Sequence, residues 1–239
     1  MRTLVVLPTY NEAENIVDFV GAVRRAAPDA DVLVVDDNSP DGTGLLADQM
    51  ASTDPSISVL HRTEKAGLGA AYRHGFSVAF ERGYDVIVSM DSDFSHDPTV
   101  IPTMLARIAE GADVVVGSRY VHGGGTIDWP FRRQMLSKWG NRYTGMVLGV
   151  KVRDCTSGFR AYRASSLEAA HPGGTTAEGY AFLTELVYRL SSRGARVVET
   201  PIIFRDRERG VSKMSGRIIV ESMLLVTGWG LRDRLRGRP

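Results

Sequence analysis

Strand and helix patterns alternate four times through the first part of this 239-residue sequence, and this alternation limits the possible folds more than any other feature. Short β-branched runs, of which Leu4-Val5-Val6-Leu7 is the first, are separated by segments whose apolar residues recur with a helical period. Alternation at this spacing is typical of right-handed crossovers between parallel strands. We therefore expect an α/β fold with a mostly parallel central sheet flanked by helices.

The same patterns predict where the individual elements begin and end. Pro201 interrupts the last predicted strand and therefore places it at an edge of the sheet. Gly123-Gly124-Gly125 predicts a flexible loop, because three successive glycines have no side chains to order it. The predicted strands are 2–7, 31–35, 57–60, the run from 86 that stops at Asp91, 112–116, a returning segment within 154–162, and 197–204; the predicted helices are 14–27, 45–50, 70–82, 131–148, 180–192 and 215–231.

Composition excludes several classes of protein. With 43% apolar and 24% charged residues, the chain is ordinary for one large or two small globular domains. Its net charge of +1 gives no global field for nucleic acid, and its single cysteine, Cys155, excludes an internal disulfide framework and suits a reducing compartment. Neither a signal-peptide pattern nor a run of roughly 18 apolar residues is present, so we expect a cytoplasmic protein without a spanning helix.

Two carboxylates, Asp91 and Asp93, stand directly after the apolar run Val86-Ile87-Val88. In open α/β sheets, ligands bind at the carboxyl ends of the strands. Two carboxylates this close repel each other unless a cation or strong donors compensate them, and oxygen ligands favour Mg²⁺ or Mn²⁺. The alternative is that Asp91-Ser92-Asp93 forms only a turn and N-cap before the next helix.

Other strand ends also carry polar side chains: Glu12 follows the first strand, Asp36 and Asp37 the second, and Arg119 the fifth. In a parallel sheet these positions converge on one edge. Carboxylates for ribose and base groups, a divalent ion for phosphates and an arginine for the remaining charge are what a nucleotide diphosphate requires. Individually, Glu12 also fits a helix-start acid, Asp36 and Asp37 fit turn residues, and Arg119 fits a surface ion pair.

Several motifs in this order resemble those of dolichol-phosphate mannosyltransferases and bacterial polyprenol monophosphomannose synthases, which are inverting family-two glycosyltransferases of GT-A fold. The resemblance covers nearly the whole chain and implies a GT-A-type, Rossmann-like sandwich. The Asp-X-Asp motif is generic to many glycosyltransferases, whereas the Asp-Gly-Thr turn, Gly-Ser-Arg-Tyr and Thr-Ser-Gly-Phe-Arg are specific to the polyprenyl-phosphate branch. The matching segments are Leu7 to Glu12, Val35 to Thr43, Gly67 to Tyr72, Met90 to His96, Gly117 to Tyr120 and Thr156 to Arg160.

The resemblance implies that GDP-mannose is the donor, that a polyprenyl phosphate is the acceptor, and that Mg²⁺ or Mn²⁺ is the cofactor. Ser95 falls where some relatives have a glutamine metal ligand, so the implied metal set is Asp91, Asp93 and Ser95. Asp91, Asp93 and Arg119 are the implied catalytic residues, and Arg119, Arg133 and Ser137 match residues that receive the acceptor phosphate. The implied donor-binding residues are Pro8, Tyr10, Glu12, Val35, Asp37, Asp91, Ser92, Asp93, Arg119, Arg207 and Lys213.

The C-terminal segment suggests contact with a membrane. From Arg205 to Pro239 the chain has nine Lys and Arg against four Asp and Glu. We divide the chain into a glycosyltransferase domain at 1–213 and a C-terminal amphipathic helix with a basic tail at 214–239. That helix lies in a membrane interface on one interpretation and packs on its own domain on the other. The resemblance to short relatives implies a peripheral protein at the cytoplasmic face of the membrane, or one with a membrane-spanning partner.

Three other functions compete with mannosyl transfer. The same fold could use UDP-glucose to make a polyprenyl phosphate glucose, which only donor competition separates. A sugar nucleotidyltransferase also uses paired acids, but it requires an early Gly-rich basic loop that the sequence lacks. A non-catalytic, lipid-bound subunit that binds sugar nucleotides predicts binding without turnover.

Overall fold

The computed structural model of the chain describes residues 1–175, 177, 179–206 and 216–235. Helices and strands alternate along them, as the sequence predicts. The strands are β1 (Thr3–Thr9), β2 (Asp31–Asp36), β3 (Ile57–His61), β4 (Val86–Ser89), β5 (Val114–Ser118), β6 (Gly125–Ile127), β7 (Arg160–Arg163), β8 (Val197–Pro201) and β9 (Ile203–Arg205). The α-helices are α1 (Ile16–Ala26), α2 (Thr43–Thr53), α3 (Leu68–Glu81), α4 (Ile101–Ala109), α5 (Phe131–Leu148), α6 (Ala164–Ala169), α7 (Gly179–Ser191) and α8 (Gly216–Leu235). Short 3₁₀ turns occur at Pro98–Val100 and Pro172–Gly174.

Seven strands form the central sheet in the order β3-β2-β1-β4-β7-β5-β8. β7 runs antiparallel to its neighbours β4 and β5, and the other neighbouring pairs are parallel. This confirms the predicted α/β fold with a mostly parallel sheet. The chain moves outward from β1 to β3 and then returns to the other side of β1 to form β4. Such a reversal opens a crevice at the carboxyl ends of the strands, where ligands bind in open α/β sheets.

Both faces of the sheet are covered, because successive strand side chains point to opposite faces. In β1, Leu4 and Val6 join a core cluster with α3, α7 and part of α8, whereas Val5 and Leu7 join a second cluster with α1 and α4. All four of these side chains are fully buried. Burial on both faces explains why the strands read as continuous apolar runs, and it holds their carboxyl ends in place.

Most predicted elements are present, with small shifts at their ends. α5 has the predicted bounds, and β8 ends at Pro201 on the edge of the sheet, as expected for a proline that cannot donate to a neighbouring strand. The prediction of a flexible loop at the three glycines is wrong in part. Gly125 begins β6, which pairs with β9 in a separate parallel ribbon. Gly124 is required by packing, because an added Cβ would lie 2.4 Å from the Ser118 carbonyl oxygen.

Helix α8 packs against α5 and α7. Val226 and Trp229 are buried in the core cluster, and the Trp229 ring stacks on Tyr188 with a centroid distance of 6.2 Å. The predicted domain boundary at 213 and 214 lies outside the described residues and stays a prediction. Among the helices of the described ranges, none combines the length and apolar character that a membrane span requires.

The close packing of α3 on β1 gives a test of the fold. An alanine Cβ at Gly75 would lie 2.5 Å from Val6 Cγ1, a buried and branched side chain that cannot easily move away. We expect Gly75→Ala to lower the free energy of unfolding by about 1 to 3 kcal/mol in urea denaturation. Gly228→Ala in α8 meets no atom within 4 Å and is expected to be neutral or slightly stabilising, since alanine favours helices. Equal effects of the two substitutions would contradict this packing.

Candidate active site

Asp91 and Asp93 follow the end of β4 at the carboxyl edge of the sheet. Asp91 is half-buried and lines a cavity of about 430 Å³. Asp93 is 5% exposed and lines a second cavity, which shares His96 with the first. The alternative of a simple helix cap is not supported, because the next helical turn is capped by Asp97, whose side chain accepts from the Thr99 amide at 2.9 Å. A turn is nevertheless present, since the Ser95 amide donates to Asp93 Oδ1 at 3.0 Å.

The residues around this carboxylate pair are compatible with a hard divalent cation. Within the described ranges, no three His, Cys, Asp or Glu side chains cluster into a closed metal site. Mg²⁺ and Mn²⁺ are commonly held by one or two carboxylates together with water and substrate phosphates, so two carboxylates are sufficient. The hydroxyl oxygen of Ser95 is buried and makes no hydrogen bond to the described part of the chain, which leaves one more oxygen next to Asp93.

Arg119 directly follows β5 and forms a buried ion pair with Asp154. The Nε and Nη2 atoms of Arg119 each donate to an Asp154 carboxylate oxygen at 2.7 Å, and its backbone amide donates at 3.0 Å. Arg119 is 8% exposed and Asp154 is fully buried. Arg119 is therefore in an ion pair, as one interpretation of the sequence held, but the pair lies inside the protein rather than on its surface. Arg119 still lines the 430 Å³ cavity.

Asp154 is held ionised by this contact. Burial raises the pKa of Asp154, but the charge and hydrogen bonds of Arg119 outweigh burial and leave that pKa below its ordinary value. The Asp154 amide donates to Glu199 of β8 at 3.1 Å, so the carboxylate is also fixed through its backbone. Asp154 was not predicted as a site residue, although it stands two residues before Thr156, where a matching motif begins. Its ion-pair partner, Arg119, follows β5 and lies 35 residues away in the sequence, so the pair forms only when the chain folds.

The loop that follows Asp154 is anchored by a second buried arginine. Arg160 in β7 is fully buried and donates to the carbonyl oxygens of Cys155, Ser157 and Leu183 at 2.6 to 2.8 Å. The hydrogen-bond donors of the Arg160 guanidinium are therefore bonded to backbone carbonyl oxygens rather than to a carboxylate. The Thr156 to Gly158 segment is thereby held against the cavity, which it lines.

Arg133 and Ser137 lie on α5 and line the same cavity as Asp91 and Arg119. Arg133 donates to Asp206 at 2.6 Å, and the Tyr120 hydroxyl donates to Ser137 Oγ at 2.6 Å. The structure therefore brings the three expected acceptor-phosphate residues together beside Asp91.

Trp129, which the sequence analysis did not identify, contributes to this arrangement. Its ring centroid lies 4.0 Å from the Arg133 guanidinium carbon and 5.3 Å from that of Arg119. Cations are attracted to the faces of aromatic rings, so this ring stabilises both guanidinium groups beside the cavity.

The residues expected at the nucleoside lie at the carboxyl ends of β1 and β2. Pro8 and Val35 are paired in register, and Val35 is fully buried, which leaves only its backbone for a ligand. The Lys65 ammonium lies 3.7 Å from the Tyr10 ring centroid. Asp37 pairs with Arg62 at 2.5 Å; burial raises the pKa of Asp37 more than this cation lowers it.

Glu12 is half-buried before α1, where its carboxylate accepts from Asn15 at 2.9 Å. Asp36, by contrast, behaves as the turn residue that one interpretation expected, because it accepts from the Ser39 amide and hydroxyl. Ser92, which stands between Asp91 and Asp93 in the chain, is buried. Pro8, Tyr10, Glu12 and Asp37 line neither cavity described here. Arg207 and Lys213, expected at the donor phosphates, lie outside the described residues.

Comparison with known proteins assigns the family. Residues 4–170 match the family model described as glycosyl transferase family 2, and the chain belongs to that family. It is 51% identical over 235 residues to the polyprenol monophosphomannose synthase of Mycolicibacterium smegmatis, covering 98% of this chain and 89% of that protein. It is 49% identical over 237 residues to the undecaprenyl-phosphate mannosyltransferase of Micrococcus luteus, covering 99% and 97%. The resemblance stated from the motifs is confirmed.

A solved structure supports the fold at low sequence identity. The mannosyltransferase PcManGT from Pyrobaculum calidifontis, solved in complex with GDP-Man and Mn²⁺, superposes with a TM-score of 0.66 at 18% identity. The match covers 97% of this chain and 64% of that protein. The predicted GT-A fold is confirmed by this likeness.

The buried Asp154 gives a prediction for stability and its pH dependence. We expect Asp154→Asn to lower the free energy of unfolding by about 3 to 5 kcal/mol at neutral pH, because the buried Arg119 cation loses its counter-charge. The folded pKa of Asp154 lies below the ordinary value of 3.8, so its contribution is complete above 3.8 and is lost as the pH falls through the folded pKa. Urea denaturation at several pH values measures both effects.

Asp48→Asn is the matched control, because Asp48 forms only a half-exposed pair with His61. That substitution is expected to change stability little. The assignment fails if Asp154→Asn lowers the free energy of unfolding no more than Asp48→Asn does. It also fails if both variants lose stability at acid pH as the unsubstituted protein does.

Proposed function

We propose that this protein transfers mannose from GDP-mannose to a polyprenyl phosphate and releases GDP. The observation that carries the proposal is the cavity in which Asp91, at the expected donor side, lies with Arg119, Arg133 and Ser137, at the expected acceptor side. Two relatives near 50% identity over almost the whole chain have names that specify mannosyl transfer to such lipids or synthesis of the product. The PcManGT complex with GDP-Man supports the choice of donor.

The charges of the cavity suit a phosphate monoester as the nucleophile. Such a group carries about 1.5 to 2 negative charges at neutral pH, by analogy with phosphorylated side chains, and it needs no general base. Among the described residues that line the 430 Å³ cavity, Asp91 is the one carboxylate. A sugar hydroxyl acceptor would need a base to remove its proton, whereas this lining offers cations for an anion. Arg133 and Ser137 would orient the phosphate oxygens.

In the proposed step, an acceptor phosphate oxygen forms a bond to the anomeric carbon of mannose. The bond from that carbon to the β-phosphate oxygen of GDP-mannose breaks, and its electron pair leaves with GDP. Attack from the opposite side inverts the anomeric centre and gives a β-linked mannosyl phosphate. No proton has to move, in agreement with a cavity lined by cations.

Asp91, Asp93 and Ser95 would hold Mg²⁺ or Mn²⁺ on the donor side. When bound, the ion supplies positive charge that stabilises the leaving diphosphate. Asp91 and Asp93 stand at the end of a strand that is buried on both faces, so they are held in position before any ligand binds. Arg207 and Lys213 are proposed to complete the donor-phosphate contacts.

We further propose that the protein works peripherally at the cytoplasmic face of the membrane, either directly or through a membrane-spanning partner. A polyprenyl phosphate is a membrane lipid with its charged end at the surface, so the cavity must reach that surface. The proposed division into 1–213 and 214–239 leaves exposed residues of α8, among them Leu224 and Leu231, for contact with the membrane, while Val226 and Trp229 pack on the domain.

Transfer of label tests this function directly. The purified chain is incubated with Mg²⁺, a short polyprenyl phosphate and either radiolabelled GDP-mannose or UDP-glucose, and label is counted in the organic phase. We expect mannose label in the lipid, and its loss when the divalent ion is chelated. Label from UDP-glucose alone would show that UDP-glucose, rather than GDP-mannose, is the donor. Label from neither would contradict catalysis by this chain.

Two substitutions separate the donor and acceptor sides of the site. Asp91→Ala is expected to reduce transfer more than tenfold, a change in barrier above about 1.4 kcal/mol, because donor phosphate stabilisation is lost. Arg133→Ala is expected to raise KM for the lipid strongly while GDP-mannose binding, measured by calorimetry, changes little.

Asp29→Ala and Arg107→Ala, both exposed and absent from the cavity linings that contain Asp91 and Asp93, are the matched controls. Equal loss of lipid use and GDP-mannose binding in Arg133→Ala would overturn its assignment. More than a tenth of the activity remaining in Asp91→Ala would overturn the metal role.

A further inference from the structure

The ion pair between Arg133 and Asp206 places a carboxylate on a cation that is proposed to bind substrate. Arg133 Nη1 donates to Asp206 Oδ2 at 2.6 Å, and Arg133 lines the 430 Å³ cavity. Asp206 itself lines the second cavity, together with Asp93. Carboxylate and phosphate oxygens accept the same charge-assisted hydrogen bonds from a guanidinium. Asp206 therefore uses a donor that the acceptor phosphate would otherwise receive.

This pair differs from the fixed pair between Arg119 and Asp154 in the same wall. The side chains of Arg119 and Asp154 are 7% and 0% exposed, and two guanidinium bonds join them. The side chains of Arg133 and Asp206 are 27% and 36% exposed, and within the described ranges a single hydrogen bond joins them. Ion pairs that are partly open to water are weak, because water screens them. The Asp206 carboxylate is consequently exchangeable, whereas Asp154 is not.

The backbone next to Asp206 is held in place. Its neighbour Arg205 is the last residue of β9, which pairs with β6, and the Arg205 amide donates to the Ser95 carbonyl oxygen at 3.2 Å. Asp206 is thereby fixed beside the loop that contains Asp93 and Ser95. Because its side chain is open to water, rotation about its own side-chain bonds is enough to move the carboxylate away from Arg133. No movement of the backbone is required for the exchange.

The charges show why an exchange is favoured over simultaneous binding. A phosphate that joined Asp206 on Arg133 would place two anions against one guanidinium, and like charges this close repel each other. We propose that Asp206 is an internal competitor for the acceptor phosphate: its carboxylate holds Arg133 in the unliganded protein and is displaced when the phosphate binds. The proposal rests on the proposed function for the identity of the phosphate, since the acceptor side is assigned there.

Internal competition has a characteristic consequence for affinity. A protein that must leave one state before it binds loses the same factor of affinity for every ligand of the other state. In the proposed reaction the acceptor is a phosphate monoester and the lipid product is a phosphodiester, and both would contact Arg133. Asp206 therefore weakens the binding of both to the same extent, which raises KM for the acceptor and speeds release of the product.

Binding of two small phosphates to the full chain tests the proposal. Hexyl phosphate represents the monoester and methyl hexyl phosphate the diester, and each is titrated by calorimetry without GDP-mannose. We expect Asp206→Asn to lower both Kd values by the same factor, about two- to fivefold, which corresponds to about 0.4 to 1 kcal/mol for a partly exposed ion pair. Asp206→Glu keeps a carboxylate and is expected to keep the Kd values of the unsubstituted protein.

Two controls separate competition from a general effect of charge. Asp128→Asn changes the net charge equally, and Asp128 is exposed in the chain directly before Trp129 of the cavity lining. An effect of net charge alone would tighten the monoester more than the diester, because the monoester carries more negative charge, and Asp128→Asn would share it. In an Arg133→Ala background, Asp206→Asn is expected to leave both Kd values unchanged, since no guanidinium remains to compete for.

The other results would overturn the proposal. Weaker binding of both phosphates to Asp206→Asn would show that Asp206 orients Arg133 for the ligand. Unchanged Kd values, tightening that Asp128→Asn shares, or absence of binding in every variant would equally reject competition. The transfer of label tests the reaction separately. Absence of label together with the expected Kd changes would reject mannosyl transfer and would leave the competition at Arg133 in place.

Discussion

The wall of the candidate active site depends on the buried ion pair between Arg119 and Asp154. Two hydrogen bonds from the guanidinium and one from the backbone amide fix the carboxylate, which takes its position from the loop before β7. Asn141 of α5 accepts from the Cys155 amide at 2.7 Å, and Glu199 of β8 accepts from the Asp154 amide. One buried pair therefore links β5, β8 and α5 around a single cavity.

This pair is costly to bury and is therefore surrounded by compensating contacts. A buried charge is tolerated when its partner and its remaining hydrogen bonds are in place. Thr156 accepts from Arg119 Nη2 at 2.8 Å, and the Trp129 ring lies near the same guanidinium. The consequence is an arginine that is fixed in advance at the edge of the cavity. Fixed charge stabilises an anion more effectively than a mobile side chain, because it needs no reorganisation when the ligand binds.

The sheet places the opposite charge across the cavity. β4 ends at Ser89, and the chain reaches Asp91 beside β1, where the strand order reverses. Arg119, Arg133 and Asp91 consequently line one cavity, and the residues proposed to bind the nucleoside, at the ends of β1 and β2, do not line it. This separation is the physical basis for assigning donor and acceptor to different sides.

Periodicity and strand-end chemistry predicted much of this architecture from sequence. α5 was predicted with its observed bounds, and in the structure Pro130 precedes the helix while Gly149 ends it in a left-handed conformation. Pro201 predicted an edge strand, because proline has no amide hydrogen to donate to a neighbouring strand. β8 is an edge strand of the observed sheet. The antiparallel direction of β7 was not predicted, since apolar patterning carries no information on strand direction.

The contacts of the site were less predictable than its location. Arg119 and Asp154 are 35 residues apart, and no local pattern connects them. The same is true of Arg133 and Asp206, which are 73 residues apart. Motif resemblance identified Arg119, Arg133 and Ser137, whereas their supporting partners required the folded chain. The exposed side of α5 could not be predicted from the sequence either, because a helical pattern alone does not reveal which side of a helix the rest of the fold covers.

A double-mutant cycle on Arg119→Lys and Asp154→Asn tests the central claim most directly. The measured quantity is kcat/KM for the polyprenyl phosphate acceptor at saturating GDP-mannose. If Asp154 acts by fixing Arg119, each single variant has a lower kcat/KM than the unsubstituted protein. The kcat/KM of the double variant is then no lower than that of the less active single variant. Losses that multiply in the double variant would show that the two residues act independently, and would contradict this account of the site.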